Sequence, residues 1–216
     1  MEHLLKKFGF KKSNFKDYYE TDPESFELKL KQEEEVIKRL NLTPRKCGDC
    51  NLCCKLTPVP ALKKNEHEWC NNCEIGVGCK IYKERPLDCQ AFNCLWALGI
   101  INEEYKPNKV GFFMTLNSMN DAMLGMLKVY TEKHKLDSTI KKLKNFKSSR
   151  NAKIKGFHIR YGAEKKDTCF LHLDHGENGE YGLKYWEELE KEVNEVLDKL
   201  PFNLKEKFLE YAKKSW

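Results

Sequence analysis

Residues 47–54 read CGDCNLCC, and five further cysteines follow within the next 40 residues, at positions 70, 73, 79, 89 and 94. Nine of the ten cysteines of this 216-residue chain therefore lie in one stretch. Prolines and glycines interrupt the stretch too often for a long helix or strand. We predict an irregular module in which metal coordination, rather than a repeating apolar face, organises the chain.

The compartment decides how such cysteines are interpreted. The amino terminus has no apolar run of the kind that forms a signal peptide, and no segment approaches the roughly 20 apolar residues that a membrane span needs. We therefore expect a cytoplasmic protein with no membrane partner. Thiols are kept reduced in the cytosol, so metal ligation is expected in preference to disulfides.

Two kinds of metal site fit the spacing. Cys47 and Cys50 with Cys70 and Cys73 give C-x2-C-x19-C-x2-C, within the spacing range of a four-cysteine zinc site. Cys47, Cys50 and Cys53 give C-x2-C-x2-C, the close triple spacing by which an iron–sulfur cluster collects ligands from one loop. The triple spacing favours iron–sulfur, and zinc stays open as the alternative.

Adjacent cysteines bear on the number of metal centres. Neighbouring side chains diverge, so Cys53 and Cys54 would serve two different metals or clusters more easily than one. The candidate metal ligands are nine: Cys47, Cys50, Cys53, Cys54, Cys70, Cys73, Cys79, Cys89 and Cys94. Nine thiols suffice for two four-thiolate sites with one left over. Nearby cations would balance their charge, and the module offers Lys55, Lys80, Lys83 and Arg85.

The string CGDCNLCC, followed by GCKIYKERPLDCQAF over residues 78–92, resembles the CxxCxxCC cysteine-cluster family, the zinc- or iron-chelating domains of the YkgJ type. The resemblance covers residues 47–96. Six cysteines fall on the family pattern, together with its Arg85-Pro86 step: Cys47, Cys50, Cys53, Cys54, Cys79 and Cys89. Cys70, Cys73 and Cys94 are additional, so their ligand role rests on spacing. The resemblance implies metal chelation and brings no particular reaction with it.

Three functions follow as hypotheses. The first is a non-catalytic metal-binding or electron-transfer module. The second is an enzyme, since the cysteine motif is also similar to that of the flagellin lysine N-methylases, which implies an iron–sulfur cluster working with S-adenosylmethionine. The third is a zinc-stabilised binding module that uses the basic strip at residues 131–166. A protein partner stays open, and nucleic acid is the weaker expectation because most basic strips are solvated surfaces.

The fold class expected is α+β. An N-terminal helical segment (residues 1–45) precedes the cysteine module (46–98), and a small mixed sheet with C-terminal amphipathic helices follows (99–216). The first helix is predicted to start with a capping box at Thr21 and to stop near Pro44. Strands are predicted at 110–116, 123–130, 154–161 and 168–173, with a helix at 137–146 in the middle. Two final helices are predicted at 184–200 and after Asn203.

Weaker candidates have ordinary explanations. Cys169 and His172 would face opposite sides of a strand, so one metal could not easily bind both. We expect Cys169 to be a half-buried thiol, and His172 and His175 to be surface histidines. His67 precedes Cys70 closely enough to be considered as a ligand. Asp49 and Asp88 lie beside cysteines, where an acidic side chain usually caps a turn.

Overall fold

The computed structural model describes residues 10–12, 19–115, 125–146, 154–164, 166–173 and 182–199. The strands are β1 (Phe10–Lys12), β2 (Tyr19–Thr21), β3 (Cys73–Glu74), β4 (Gly78–Cys79), β5 (Phe112–Thr115), β6 (Met126–Thr131), β7 (Gly156–Arg160), β8 (Thr168–His172) and β9 (Gly182–Tyr185). The helices are α1 (Pro23–Arg39), α2 (Leu52–Leu56), α3 (Leu87–Gln90), α4 (Pro107–Val110), α5 (Leu136–Lys144) and α6 (Trp186–Lys199). The chain is thus a mixed α+β protein, as predicted.

A five-stranded mixed sheet, in the order β5-β6-β7-β8-β9, forms the framework. β5 and β6 are antiparallel, as are β7 with β8 and β8 with β9, while β6 and β7 are parallel. A parallel pair needs a crossover connection, and α5 lies in the chain between these two strands. The predicted order of two strands, a helix and two strands is confirmed.

Several boundaries differ from the predictions. Asp22, rather than Thr21, caps α1, because its carboxylate accepts a hydrogen bond from the Ser25 amide at 2.9 Å. The helix ends at Arg39, five residues before Pro44. β9 was missed because its short sequence was assigned to the following helix, which begins only at Trp186. The helix predicted after Asn203 lies outside the described residues.

The hydrophobic core lies between the sheet and α5. Phe157 and Ile159 of β7 and Leu171 of β8 are fully buried, and they alternate with less buried neighbours as expected for a sheet with one covered face. Leu143 of α5 is also fully buried in this cluster. Among the described residues, every helix falls short of the length and apolar character that a membrane crossing requires.

The cysteine module packs against the β5 side of this framework. The Leu95 amide donates to the Met114 carbonyl of β5 at 2.8 Å, and the Phe92 ring lies edge-on to Phe113 with centroids 5.4 Å apart. Leu56 of α2 is fully buried in the same core. The irregular module therefore has a rigid sheet edge beneath it.

Two ion pairs also fasten the module to the sheet. Glu66 accepts a hydrogen bond from Arg160 of β7 at 2.9 Å, and both side chains are largely buried. Lys55 of α2 pairs with Glu132, which directly follows β6. Both links join residues that are far apart in the sequence, so they report on the docking of the module rather than on local structure.

The Glu132 pair predicts a specific dependence of stability on acid. Burial opposes ionisation of this carboxyl, but hydrogen bonds from Lys55 and Lys135 prevail and lower its pKa from 4.5 to about 2. Because the pKa is lower in the folded state, the pair stabilises the fold above about pH 4.5 and this contribution is lost as pH falls towards 2. Glu132→Gln should therefore lose less stability than the wild type between about pH 6 and about pH 3, measured by urea unfolding.

Glu164→Gln is the control for this prediction, because Glu164 forms an ion pair with Lys166 at an exposed site. It should keep the acid sensitivity of the wild type. An unchanged acid sensitivity in Glu132→Gln would contradict the assignment.

Candidate metal centre

Eight of the nine cysteines of the module line a single cavity of about 180 Å³. These are Cys47, Cys50, Cys53, Cys54, Cys70, Cys79, Cys89 and Cys94. The eight cysteines come from four segments of the chain. These are the 47–54 loop with α2, the β3–β4 hairpin region, α3 and the segment that contacts β5. All ten cysteines of the chain are free thiols, with no disulfide among them. The cluster predicted from the spacing is therefore gathered in space.

Cys73 does not line the cavity, but it lies next to residues that do. It pairs with Cys79 across the β3–β4 hairpin, and its thiol hydrogen-bonds with Cys54. In the described residues, however, no three Cys, His, Asp or Glu side chains already stand in position to share one ion. The thiols would have to turn towards a common ion when they bind it.

The electrostatic neighbours of each thiol form two sets that are linked through Cys54, which also acts on Cys47 and Cys53. The strongest partner of Cys53 is Cys54, followed by charges on Cys47 and Cys94, and charges on Cys47 and Cys50 act on Cys94. Charges on Cys54, Cys70 and Cys79 instead act on Cys73 and on Cys89. We call the first set the inner group (Cys47, Cys50, Cys53, Cys94) and the second the hairpin group (Cys54, Cys70, Cys73, Cys79, Cys89). Adjacent Cys53 and Cys54 hydrogen-bond to each other where the two sets meet, so the expectation that their side chains diverge was wrong.

Backbone amides donate hydrogen bonds to two sulfurs of the inner group. The amides of Leu52 and Asn108 face Cys50, and those of Ala97 and Trp96 face Cys94. Such N–H···S bonds stabilise a sulfur that carries negative charge, as a metal-bound thiolate does. Cys94, which lies outside the family pattern, thus has the same kind of environment as Cys50, which belongs to it.

The pKa of Cys54 is shifted in the opposite direction from the pKa values of Cys73, Cys89 and Cys94. Hydrogen bonds from Cys53 and Cys73 lower the pKa of Cys54 to about 6, whereas burial raises the pKa of Cys73 and of Cys89 to about 12. Burial likewise raises the pKa of Cys94 to about 11. In the absence of metal, these pKa shifts therefore leave Cys54 deprotonated at neutral pH and keep Cys73, Cys89 and Cys94 protonated. A metal would displace protons from the others, so binding should strengthen as pH rises.

Lys64 is a buried cation beside the cavity, and its position was not predicted. Its side chain is 6% exposed, and its ammonium group donates to the backbone carbonyls of Lys55, Thr57 and Asn65. Burial lowers the pKa of Lys64, whereas charges on Cys70 and Cys54 raise it. In sequence it is one of two consecutive lysines, a pattern typical of a solvated surface, so no signal marked it.

Some of the cations that were predicted to balance the thiolate charge have other partners. Arg85 lies close enough for its charge to favour the thiolates of Cys47 and Cys54, as expected. Lys55 instead pairs with Glu132.

Asp49 is held by Lys106 at 2.6 Å and Asn108 at 3.0 Å, and Asp88 accepts from the Thr21 amide at 2.7 Å. Both carboxylates tie distant segments to the module, so the expectation that they cap local turns was wrong.

The other candidates lie outside the cavity. Cys169 and exposed His172 lie on opposite faces of β8, as predicted, but Cys169 is fully buried rather than half-buried. His175 lies outside the described residues. His67 does not line the cavity; its Nε2 atom is buried and has no hydrogen-bond partner among the described residues.

The basic strip is largely occupied by internal contacts where the structure describes it. Lys133 pairs with Asp167, Lys135 with Glu132, and Arg160 with Glu66. Lys142 donates to the Val110 carbonyl at 2.7 Å. These contacts favour the solvated-surface interpretation over a nucleic-acid interface.

Comparisons with protein-family models, with curated proteins and with solved structures give no significant match. The function is therefore inferred from the residues of this chain.

Proposed function

We propose that this chain is a cytoplasmic metal-binding protein in which the nine cysteines hold two metal centres, at least one of them an iron–sulfur cluster, for electron transfer. The observation that carries the proposal is the convergence of eight free thiols, from separate segments, on one cavity. Zinc in one or both centres is the alternative. The inner group would hold one centre and four members of the hairpin group the other.

The size of the cavity favours more than one metal ion over a single ion. In a closed zinc site the sulfurs lie about 2.3 Å from the ion, which leaves no room for solvent between them. A cavity of about 180 Å³ is several times the roughly 30 Å³ that one water molecule occupies in the liquid. It is too large for one tetrahedral ion but can accommodate a polynuclear cluster or two centres.

The spacing within each group supports the same assignment. Cys47, Cys50 and Cys53 supply C-x2-C-x2-C from one loop, and Cys94 adds a fourth sulfur from a distant segment. Triple spacing of this kind is typical of iron–sulfur clusters. The hairpin group contains Cys70-x-x-Cys73 and has five thiols, so it can fill four positions of a zinc site or a second cluster with one thiol to spare.

Charge gives independent support. Two four-thiolate zinc centres would carry a formal charge of about −4, and iron–sulfur centres are also anionic. A buried ammonium group held by carbonyl oxygens is costly unless an anion lies nearby. Lys64 meets this description beside Cys54 and Cys70. A metal–thiolate centre would place further negative charge beside Lys64, in addition to that of the Cys54 thiolate.

Anaerobic purification tests the proposal directly. An iron–sulfur centre gives a brown protein with broad visible absorption and with iron and acid-labile sulfide in matched amounts. A colourless protein with zinc alone would contradict the cluster and leave the zinc alternative. A protein that holds neither metal would contradict metal binding altogether. The enzyme hypothesis needs its own test, in which S-adenosylmethionine is added to the metal-loaded protein in a calorimeter. Absence of heat would contradict that hypothesis.

Lys64→Met provides a prediction about the redox centre. Loss of the buried positive charge should make reduction harder and shift the potential by about 60 mV to more negative values, which corresponds to about 1.4 kcal/mol for one electron. Lys63→Met is the matched control, because Lys63 is the exposed neighbour and should leave the potential unchanged. Equal potentials in both variants with full iron content would contradict a role for Lys64 in charge balance.

A further inference from the structure

The β3–β4 hairpin presents apolar side chains to solvent directly beside the cysteines. Ile75 and Val77, in the turn, are 63% and 64% exposed. Cys73 and Cys79 lie opposite each other at the base of the same hairpin, and both belong to the hairpin group. The most exposed apolar residues of the module thus lie in the turn of the hairpin that carries two of its candidate ligands.

A recess of about 470 Å³ lies beside this hairpin and shares a wall with the cysteine cavity. Gly48, Gly78, Cys79 and Tyr82 line both spaces. Gly78 has a φ of +146°, and a side chain there would meet the Gly48 carbonyl oxygen at 3.4 Å. Cys79 lines both spaces, so a molecule in the recess would lie against a residue that carries a candidate ligand.

Positive charge surrounds the apolar turn. Lys46 and Lys80 line the recess, and Lys83 follows nearby; all three are exposed, and none forms an ion pair with another described residue. Glu74 is the acidic side chain of the recess lining. Tyr82 is half-exposed, and the Arg85 guanidinium stacks on its ring at 3.8 Å. The hairpin face, which we define as Lys46, Ile75, Val77, Lys80 and Tyr82, is apolar at its centre and basic at its edge.

We propose that the hairpin face is the docking surface for a small acidic electron-transfer protein. This inference rests on the proposed function, because it requires a redox centre in the cysteine cavity, which shares a wall with the recess. One electron would leave the reduced cofactor of the partner and enter the oxidised centre, with no bond made or broken. The partner returns to its oxidised state and the centre is reduced.

The chemistry of the face favours such a partner over other occupants. An apolar centre with a charged rim is the usual anatomy of a protein interface, and electron-transfer encounters bury little area. Lysines at the rim steer an acidic partner and accelerate its association. A single-stranded nucleic acid would need free aromatic rings for stacking, and the ring of Tyr82 is already covered by Arg85 on one side.

Oxidised flavodoxin, a small acidic flavin protein, is a suitable probe. Its affinity for the full-length, metal-loaded protein would be measured by calorimetry, and electron transfer from its reduced form by anaerobic stopped flow. Val77→Asp and Lys80→Glu should each weaken binding about tenfold and slow electron transfer to a similar extent, while dithionite still reduces the centre. Raising the salt from about 50 to about 200 mM should weaken wild-type binding severalfold.

Lys155→Glu is the control, since it reverses an exposed charge in the segment before β7 that does not line the recess. It should bind the probe like the wild type. Equal affinities in all variants, or a coloured wild-type protein that the probe neither binds nor reduces, would overturn the docking surface. A colourless, metal-free protein would instead contradict the proposed function, so iron and sulfide are measured for every variant.

Discussion

Cys94→Ser is expected to remove about half of the bound metal and to open the segment between the cysteine module and β5. Cys94 is the one member of the inner group that comes from outside the 47–54 loop, so its loss leaves three thiolates from a single loop. Structural metal sites contribute on the order of 10 kcal/mol to folding. Metal analysis, visible absorption and limited proteolysis of the anaerobic protein would measure the loss.

Cys169→Ser is the matched control for this substitution. Cys169 is also buried, but it lies in the sheet, where burial alone raises its pKa to about 12. A buried hydroxyl without a partner costs about 1–3 kcal/mol, so this variant should lose stability and keep its metal. Full metal content in Cys94→Ser would remove Cys94 from the ligand set.

Cys70→Ser extends the same test to the hairpin group. This group has five thiols for four positions, so the remaining four can still complete a centre. We expect a smaller loss of metal than in Cys94→Ser. A loss as large as that of Cys94→Ser would show that Cys70 cannot be replaced by its neighbours.

Glu66→Ala is expected to destabilise the protein by about 3–5 kcal/mol, the cost of leaving one partner of a buried ion pair alone. The Glu66 side chain is 8% exposed and that of Arg160 is 18% exposed. Arg160 also donates to the Ala163 carbonyl at 2.9 Å, which cannot replace a negative charge. Chemical unfolding of the metal-loaded protein would measure the effect.

Two further variants serve as controls for Glu66→Ala. Glu164→Ala breaks an exposed ion pair with Lys166 and should cost less than about 1 kcal/mol. The double variant Glu66→Met/Arg160→Met removes both charges and should recover most of the lost stability. A Glu66→Ala protein as stable as the wild type would mean that the pair contributes little to docking the module on β7.

The sequence predicted those features that depend on local pattern. Strand-like apolar runs bounded by turn residues predicted β5 to β8, apolar residues on one side predicted the helix between them, and the cysteine spacing predicted that the thiols lie near one another. Parallel pairing of β6 with β7 was not predicted, because strand direction depends on the crossover and not on the residues of either strand. β9 was missed because its four residues run directly into the amphipathic pattern of α6.

The division of the thiols could not be predicted either. Spacing favoured Cys47 and Cys50 with Cys70 and Cys73 for a zinc site, whereas the electrostatic neighbours place these pairs in different groups. Which sulfurs meet depends on how the β3–β4 hairpin and the Cys94 segment pack. Lys64 was missed for the same reason, since burial of a lysine is decided by packing and leaves no trace in local sequence.

The Glu66–Arg160 link has a consequence for how the protein is made. A ribosome releases the amino-terminal part of a chain first, so all nine thiols emerge long before Arg160. Until β7 has been synthesised and paired, the module has neither its sheet support nor the partner of Glu66. We therefore expect metal to be acquired after translation of the sheet, and a truncated nascent chain to hold iron poorly.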